Sequence, residues 1–107
     1  MYNKIYERKE FMIFQVKDGY IVYNTRKVFE EGHTHLKHFE SAKTAIDLVI
    51  NKKVPKSTDV YYLSSLIRIS EDNQYISKIN ELIESREQKG KKDKYYNSGY
   101  KITKRSI

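Results

Sequence analysis

The sequence predicts an α+β fold: an N-terminal antiparallel β-hairpin or three-stranded meander packed on a three-helix bundle, with a basic C-terminal tail. Apolar runs rich in β-branched and aromatic residues flank Asp18-Gly19, which is a strong hairpin signal. After residue 41 the apolar residues recur at helical spacing instead. With 107 residues, of which 38 % are hydrophobic, the chain has room for one domain with a small core.

The predicted hairpin spans residues 11–27, with FMIFQVK and YIVYNTRK on either side of Asp18-Gly19. We expect a type I′ turn there, because both loop positions of that turn need positive φ. This turn places Lys17 opposite Tyr20, and strand alternation divides the side chains between two faces. The face predicted to pack on the core is Met12, Phe14, Val16, Ile21 and Tyr23. The other face is Phe11, Ile13, Gln15, Lys17, Tyr20, Val22, Asn24 and Arg26.

A third strand is predicted from His33 to Phe39, after a polar break at residues 30–32. Three antiparallel strands are the minimum for a sheet with a useful buried face. The pattern therefore favours a meander over an isolated hairpin.

Three helices are predicted to follow. The first covers residues 41–53, with an apolar stripe at helical spacing, and Pro55 prevents its continuation. The second begins after Ser57 as N-cap and runs to Ile69; it is apolar almost all round, which predicts a place in the middle of the core. The third opens after Ser70 and ends between residues 86 and 90. The stripes are Ala42, Ala45, Ile46 and Val49 in the first helix and Tyr75, Ile76, Ile79, Leu82 and Ile83 in the third.

Charge divides the chain into a predicted domain, residues 1–87, and a tail, residues 88–107. The first 87 residues hold 14 basic and 13 acidic side chains, a net charge of +1, whereas the tail holds seven basic side chains and one acid, a net charge of +6. Such asymmetry predicts a polyanionic or acidic partner. The basic residues of the tail are Lys89, Lys91, Lys92, Lys94, Lys101, Lys104 and Arg105. A turn signal within residues 95–100 leaves open whether part of the tail forms a small hairpin or a docked strand.

The ten tyrosines form a second unusual feature. No core stripe requires Tyr20, Tyr95, Tyr96 or Tyr100, and tyrosine rings can stack on bases or anchor a protein interface. Three interpretations of the tail stay open: nucleic-acid binding, an arm that folds on an acidic protein partner, and a solubilising terminus.

No catalytic or cofactor-binding signature accompanies these features. The chain lacks Cys, which excludes disulfides and thiolate metal sites. His33 and His35 would share a strand face and could reach one metal, but a polar strand leading into a helix is the favoured interpretation. The serines at predicted helix starts are explained as caps, and no glycine belongs to a phosphate loop. We therefore expect no enzyme, no cofactor and no metal.

The N-terminus has no signal-peptide pattern, and no apolar run approaches the roughly 20 residues needed to span a bilayer. We expect a cytoplasmic protein that contacts no membrane.

The stretch GHTHLKHFESAKTAI, residues 32–46, resembles the end of the sheet and the helix of the AP2-like, arm-site DNA-binding domain of phage-type integrases. Phe39 matches the Phe that ends a strand there, and Ser41 and Ala45 match the helix start and its spaced alanines. That family contacts DNA through the exposed face of its sheet. By position, the resemblance implies DNA contacts at Lys17, Tyr20, Val22, Asn24 and Arg26. This face has fewer basic residues than the family pattern, and the chain has two additional helices.

A larger part of the chain is similar to small uncharacterised proteins of low-GC Gram-positive bacteria and their phages. The similarity runs from GHTHLKHF through VPK to SSLIRISEDNQYISKINELI. It implies an origin on a phage or mobile element. The basic tail and its tyrosines favour a small binding protein that contacts nucleic acid, or a nucleic-acid-bound host protein complex. The resemblance raises one alternative, a protein-binding inhibitor of a host defence nuclease similar to anti-CRISPR proteins.

Overall fold

The computed structural model describes residues 3–55 and 59–98, with side chains as far as residue 86. The fold is α+β, as the sequence predicts, with a four-stranded sheet in place of a hairpin or three strands. The elements in chain order are β1 (Asn3–Arg8), β2 (Phe11–Val16), β3 (Gly19–Asn24), α1 (Phe29–Gly32), β4 (His33–Leu36), α2 (Phe39–Asn51), α3 (Val60–Ile69) and α4 (Asn73–Ser98).

The sheet has the order β1-β2-β3-β4, and every neighbouring pair is antiparallel. Strand β1 is an addition to the predicted meander. It lies at an edge, most of its side chains are exposed, and its pairing with β2 shifts between Lys4 and Tyr6. An edge strand with lysine and a bulge is protected against pairing with another chain, and such a strand has little apolar alternation for a pattern to detect.

The central hairpin has a different turn from the one predicted. Its loop residues are Lys17 and Asp18, with Val16 paired to Gly19, so the register differs by two residues. Gly19 is the only glycine of the described residues with positive φ, at +152°, and neither loop residue has positive φ. A type I′ turn is therefore wrong here. A two-residue shift leaves each side chain on its predicted face.

Replacing Gly19 by Ala should lower the free energy of unfolding by about 2 kcal/mol. A Cβ at this position would lie 2.6 Å from the backbone oxygen of Leu36 on the neighbouring strand, and its φ is one that L residues rarely adopt. Thermal denaturation measures the effect. The control is Asp18→Ala, an exposed change in the same turn, expected within about 0.5 kcal/mol of wild type. Equal melting temperatures for both variants would contradict this prediction.

Helices α2 and α3 pack on the face of the sheet opposite to the one predicted. Phe11, Ile13 and Val22 are 0–1 % exposed and join the core cluster formed with α2 and α3. Tyr20 is half-buried on this face, against Phe39 at the start of α2. The prediction that Met12, Phe14, Val16, Ile21 and Tyr23 form the core face is therefore wrong, although Ile21 is itself only 1 % exposed. Both faces are apolar, so alternation alone does not distinguish the buried one.

Helices α2 and α3 supply most of the remaining core. The predicted stripe of α2 is confirmed, since Ala42, Ala45, Ile46 and Val49 are all buried. The prediction that α3 lies in the middle of the core is wrong. Only one side of it is buried, through Leu63, Ser65, Leu66 and Ile69, while Tyr61 is 86 % exposed. Its N-cap is Asp59, whose carboxylate accepts a hydrogen bond from the Tyr62 backbone N–H at 2.8 Å. The predicted cap, Ser57, lies outside the described residues.

A buried polar contact joins the sheet to α3. The Thr34 hydroxyl of β4 donates to the Ser65 hydroxyl of α3 at 2.7 Å, and both residues are 6 % exposed. This contact orients α3 on the sheet, because either hydroxyl alone would be a buried group without its partner.

Helix α4 is longer than the sequence predicts. The predicted N-cap, Ser70, is wrong: Ser70 ends α3, and α4 begins at Asn73 with Asp72 as its cap. Its backbone continues past Gly90 to Ser98 instead of ending between residues 86 and 90. The described part of the predicted turn or hairpin at residues 95–100 is helical, and its last two residues lie outside the description.

Candidate nucleic-acid interface

The first half of the predicted basic tail is carried by α4. Lys89, Lys91, Lys92 and Lys94 lie on its backbone, as do Tyr95 and Tyr96. The remaining predicted contacts, Tyr100, Lys101, Lys104 and Arg105, lie outside the described residues. These lysines and tyrosines therefore continue the helix whose first residues are Asn73 to Ile79.

The N-terminal half of α4 is anchored in the core. Tyr75 and Ile79 are 2 % and 0 % exposed, and the Tyr75 hydroxyl donates to the Lys53 backbone oxygen at 2.8 Å. Burial raises the pKa of Tyr75 to about 12, with a smaller contribution from Tyr62, so the phenol stays a neutral donor. The start of α4 is thereby fixed to the end of α2.

Asp72 caps α4. Its Oδ1 accepts hydrogen bonds from the backbone N–H groups of Gln74 at 2.9 Å and Tyr75 at 3.1 Å. Its other oxygen lies 3.1 Å from Lys52 Nζ. The hydrogen bond from Tyr75, followed by the contact with Lys52, lowers the pKa of Asp72 below its usual value, because both favour the carboxylate. The cap keeps its charge at neutral pH.

The three predicted contacts in the hairpin are not brought together. Lys17 is exposed in the β2–β3 loop, and Arg26 is exposed just beyond the far end of β3. The two ends of that strand are about 17 Å apart. Tyr20, between them, packs against the Phe39 ring with centroids 5.6 Å apart, on the face that the helices cover.

Two DNA contacts implied by the integrase resemblance are buried. Val22 and Asn24 are 0 % and 1 % exposed beneath the helices. The Asn24 side chain donates to the Ile69 backbone oxygen at 3.0 Å and accepts from the Arg26 backbone N–H at 2.9 Å. Asn24 is therefore a structural residue that joins β3 to the end of α3. The assignment of this face as the exposed one is wrong.

Arg26 lines a cleft of about 410 Å³ at this end of the sheet. Two further cations, Lys9 and Lys52, lie in the same cleft with three acids, Glu10, Glu71 and Asp72. Arg26 pairs with Glu71 at 3.5 Å, and Lys52 pairs with Asp72. Equal numbers of cations and acids make a poor surface for a polyanion. The sequence does not predict this cluster, because its members come from segments that only the tertiary fold brings together.

Two histidines, His33 and His35, lie on the face of the sheet opposite to α2 and α3. His33 and His35 pair with Tyr23 and Ile21 of β3, while exposed His38 precedes α2. The residues with described side chains contain no group of three or more His, Cys, Asp or Glu suited to a metal.

No protein-family model, curated protein or solved structure matches the chain. Among residues 3–55 and 59–98, no helix has the length and apolar content that crossing a bilayer requires.

Proposed function

We propose that this chain is a non-enzymatic binding protein of phage or mobile-element origin that contacts nucleic acid, alone or within a host nucleoprotein, through residues 88–107. The proposed origin comes from the resemblance to small phage proteins. The observation that carries the proposed activity is the segregation of charge, because this segment holds +6 of the formal net charge of +7.

The physical basis of the proposal is counterion release. Each phosphate that a Lys or Arg neutralises frees condensed cations from the nucleic acid, so closely spaced cations bind a phosphate backbone without reading its sequence. Lys89, Lys91, Lys92 and Lys94 lie within six consecutive residues. Tyr95, Tyr96 and Tyr100 follow at once, and their rings supply stacking surfaces for unpaired bases.

Residues 88–107, called the arm from here on, gain affinity from the anchoring of α4 in the core. Helix α4 is fixed at its N-terminal end by Tyr75 and Ile79, so the helical part of the arm starts from a folded support. A segment that is already ordered loses less conformational entropy on binding than a free chain does. In this proposal Lys17 is an accessory contact for a nucleic acid that extends beyond residues 88–107. Arg26, which pairs with Glu71, contributes little.

Fluorescence anisotropy with labelled duplex DNA over a range of NaCl concentrations tests the proposal. If all seven cations of the arm contact phosphates, the logarithm of the association constant should fall against the logarithm of salt concentration with a slope of about −6. Single-stranded DNA and RNA of matched length show whether the tyrosines add affinity for unpaired bases. A flat salt dependence would contradict a phosphate-binding arm.

A pull-down from host lysate separates this function from inhibition of a defence nuclease. Nucleic-acid binding predicts that the partner is lost after nuclease treatment or in about 0.5 M salt, where exposed charges are largely screened. A stoichiometric protein partner that survives both treatments would replace this proposal with the protein-binding inhibitor.

A further inference from the structure

His33 and His35 form a pair whose geometry suits a shared ligand. They are two residues apart on β4, so their side chains project from the same face of the sheet. Their ring centroids are 5.1 Å apart, with the ring planes at 73°. Two imidazoles bound to one tetrahedral ion through nitrogens at about 2.0 to 2.1 Å would have ring centroids about 5 Å apart. The observed separation therefore matches that of two ligands of one metal ion.

The tautomer of His33 is the one that a metal ligand needs. Its Nδ1 lies 2.5 Å from the backbone oxygen of Phe29, and a carbonyl oxygen only accepts, so Nδ1 carries the proton. In the neutral imidazole with this tautomer, Nε2 carries the lone pair. A hydrogen bond from the second ring nitrogen to a carbonyl oxygen is the usual support of a metal-binding histidine, because it orients the ring and makes it more basic.

The ring of His33 is also held in place by stacking. It lies 4.1 Å from the Phe29 ring, centroid to centroid, and the two planes differ by only 4°. Phe29 in turn makes an edge contact with Tyr23 at 5.2 Å. A ligand held by both a hydrogen bond and a stacked ring loses little side-chain entropy when it binds an ion.

A positively charged side chain lies beside the histidine pair. Arg68 is the cation facing the pair, and its guanidinium donates to the backbone oxygens of His33 at 2.7 Å and Glu30 at 2.6 Å. Its charge opposes a bound cation and so lowers the affinity of the site.

We propose that His33 and His35 bind one divalent transition-metal ion of the zinc, nickel or copper class. Nε2 of His33 and one ring nitrogen of His35 are the protein ligands. Water, or a donor from a second molecule, completes the coordination. Imidazole ligands suit these ions, and the expected order of affinity places Cu²⁺ above both Ni²⁺ and Zn²⁺.

Isothermal titration of the full chain with ZnCl2, NiCl2 and CuCl2 tests the proposal. The expected result is one saturable site, weakened at least tenfold by His33→Ala and by His35→Ala. His38→Ala is the matched control, because His38 is exposed beyond the end of β4, and it should change the affinity less than twofold. A ratio of one metal to two chains would also support the site, with the histidines of a second copy in the open positions.

NMR of the wild-type chain keeps the proposal testable if a variant fails to fold. Metal addition should shift or broaden the imidazole resonances of His33 and His35 and leave those of His38 in place. No heat at metal concentrations up to about 100 µM, or equal losses in the His38→Ala variant, would overturn the proposal. So would unchanged binding in the His33→Ala, His35→Ala double variant.

Discussion

Neutralising the seven cations of residues 88–107 by replacement with Gln is expected to lower the affinity for duplex DNA at least about a hundredfold at 0.1 M salt. The reason is that these side chains would supply nearly all the counterion release, since residues 1–87 have a net charge of only +1. The slope of the logarithm of the association constant against the logarithm of salt concentration should change from about −6 to nearly zero. Anisotropy at several salt concentrations gives both quantities from one series of measurements.

A variant that lacks only the four lysines on α4 shows how much of the affinity comes from the helix and how much from the residues after it. Replacing Lys89, Lys91, Lys92 and Lys94 by Gln should reduce the magnitude of the slope by about 3 to 4, at roughly 0.9 for each phosphate contact. Circular dichroism and thermal melting verify that these variants remain folded.

The matched control removes the same charge from the domain. Lys9, Lys37, Lys53 and Lys78 are exposed and belong to four different segments, so replacing them by Gln changes the net charge by the same −4. We expect the slope to change by less than about 1. If this control weakens binding as much as the helix variant does, binding follows net charge and the arm has no special role.

Replacing Asn24 by Ala is expected to lower the free energy of unfolding by about 3 kcal/mol. Asn24 is 1 % exposed and its amide pairs with two backbone groups, the Ile69 oxygen and the Arg26 N–H. The substitution leaves the buried Ile69 oxygen and the part-buried Arg26 N–H without that partner and adds a small cavity. A buried unpaired group costs about 1 to 3 kcal/mol, and the cavity adds to that cost. For a domain of this size the melting temperature should fall by roughly 10 °C or more.

Asn80→Ala is the control for that substitution. Asn80 is exposed on α4, where Ala is the better helix former, so its variant should melt at or slightly above the wild-type temperature. DNA affinity, measured well below the melting temperature, should be the same for both variants. An Asn24→Ala variant that melts like wild type but binds DNA weakly would instead support the contact implied by the integrase resemblance.

Comparison of the Asn24→Ala variant with the Gln variants of residues 88–107 separates effects on stability from effects on DNA binding. Asn24 lies where the resemblance implies a DNA contact, yet in this fold it connects β3 to α3. The proposal gives the cations of residues 88–107 the opposite role, in binding and not in stability. Loss of binding without loss of stability is therefore the result that identifies the arm as the interface.

The sequence alone determined the features that depend on local pattern. Period-two and helical spacing predict β2, β3, β4 and the three longer helices, and the stripe of α2 is confirmed residue by residue. The accumulation of cations after residue 87 is a property of composition and needs no structure. These features are local, since the residues concerned are near neighbours in the chain.

Tertiary structure decided which face of the sheet is the core. Met12, Phe14 and Ile21 on one face are as apolar as Phe11, Ile13 and Val22 on the other, so alternation cannot choose between them. The choice belongs to α2 and α3, whose stripes pack on the second set. Asn24 is buried only because the Ile69 carbonyl, 45 residues later in the chain, accepts its hydrogen bond.

Contacts between distant residues also explain β1, which local pattern did not predict, and α4, whose length it underestimated. Strand β1 carries mostly polar, exposed side chains and depends on pairing with β2. Helix α4 continues through Gly90, a residue that costs about 1 kcal/mol within a helix, after a first half held by Tyr75 and Ile79. Helix formation is cooperative, so an anchored first half favours turns that the local sequence would not form alone. Contacts between distant residues therefore decided which sheet face is buried, and the packing of α4 on the core supports the turns that carry its lysines.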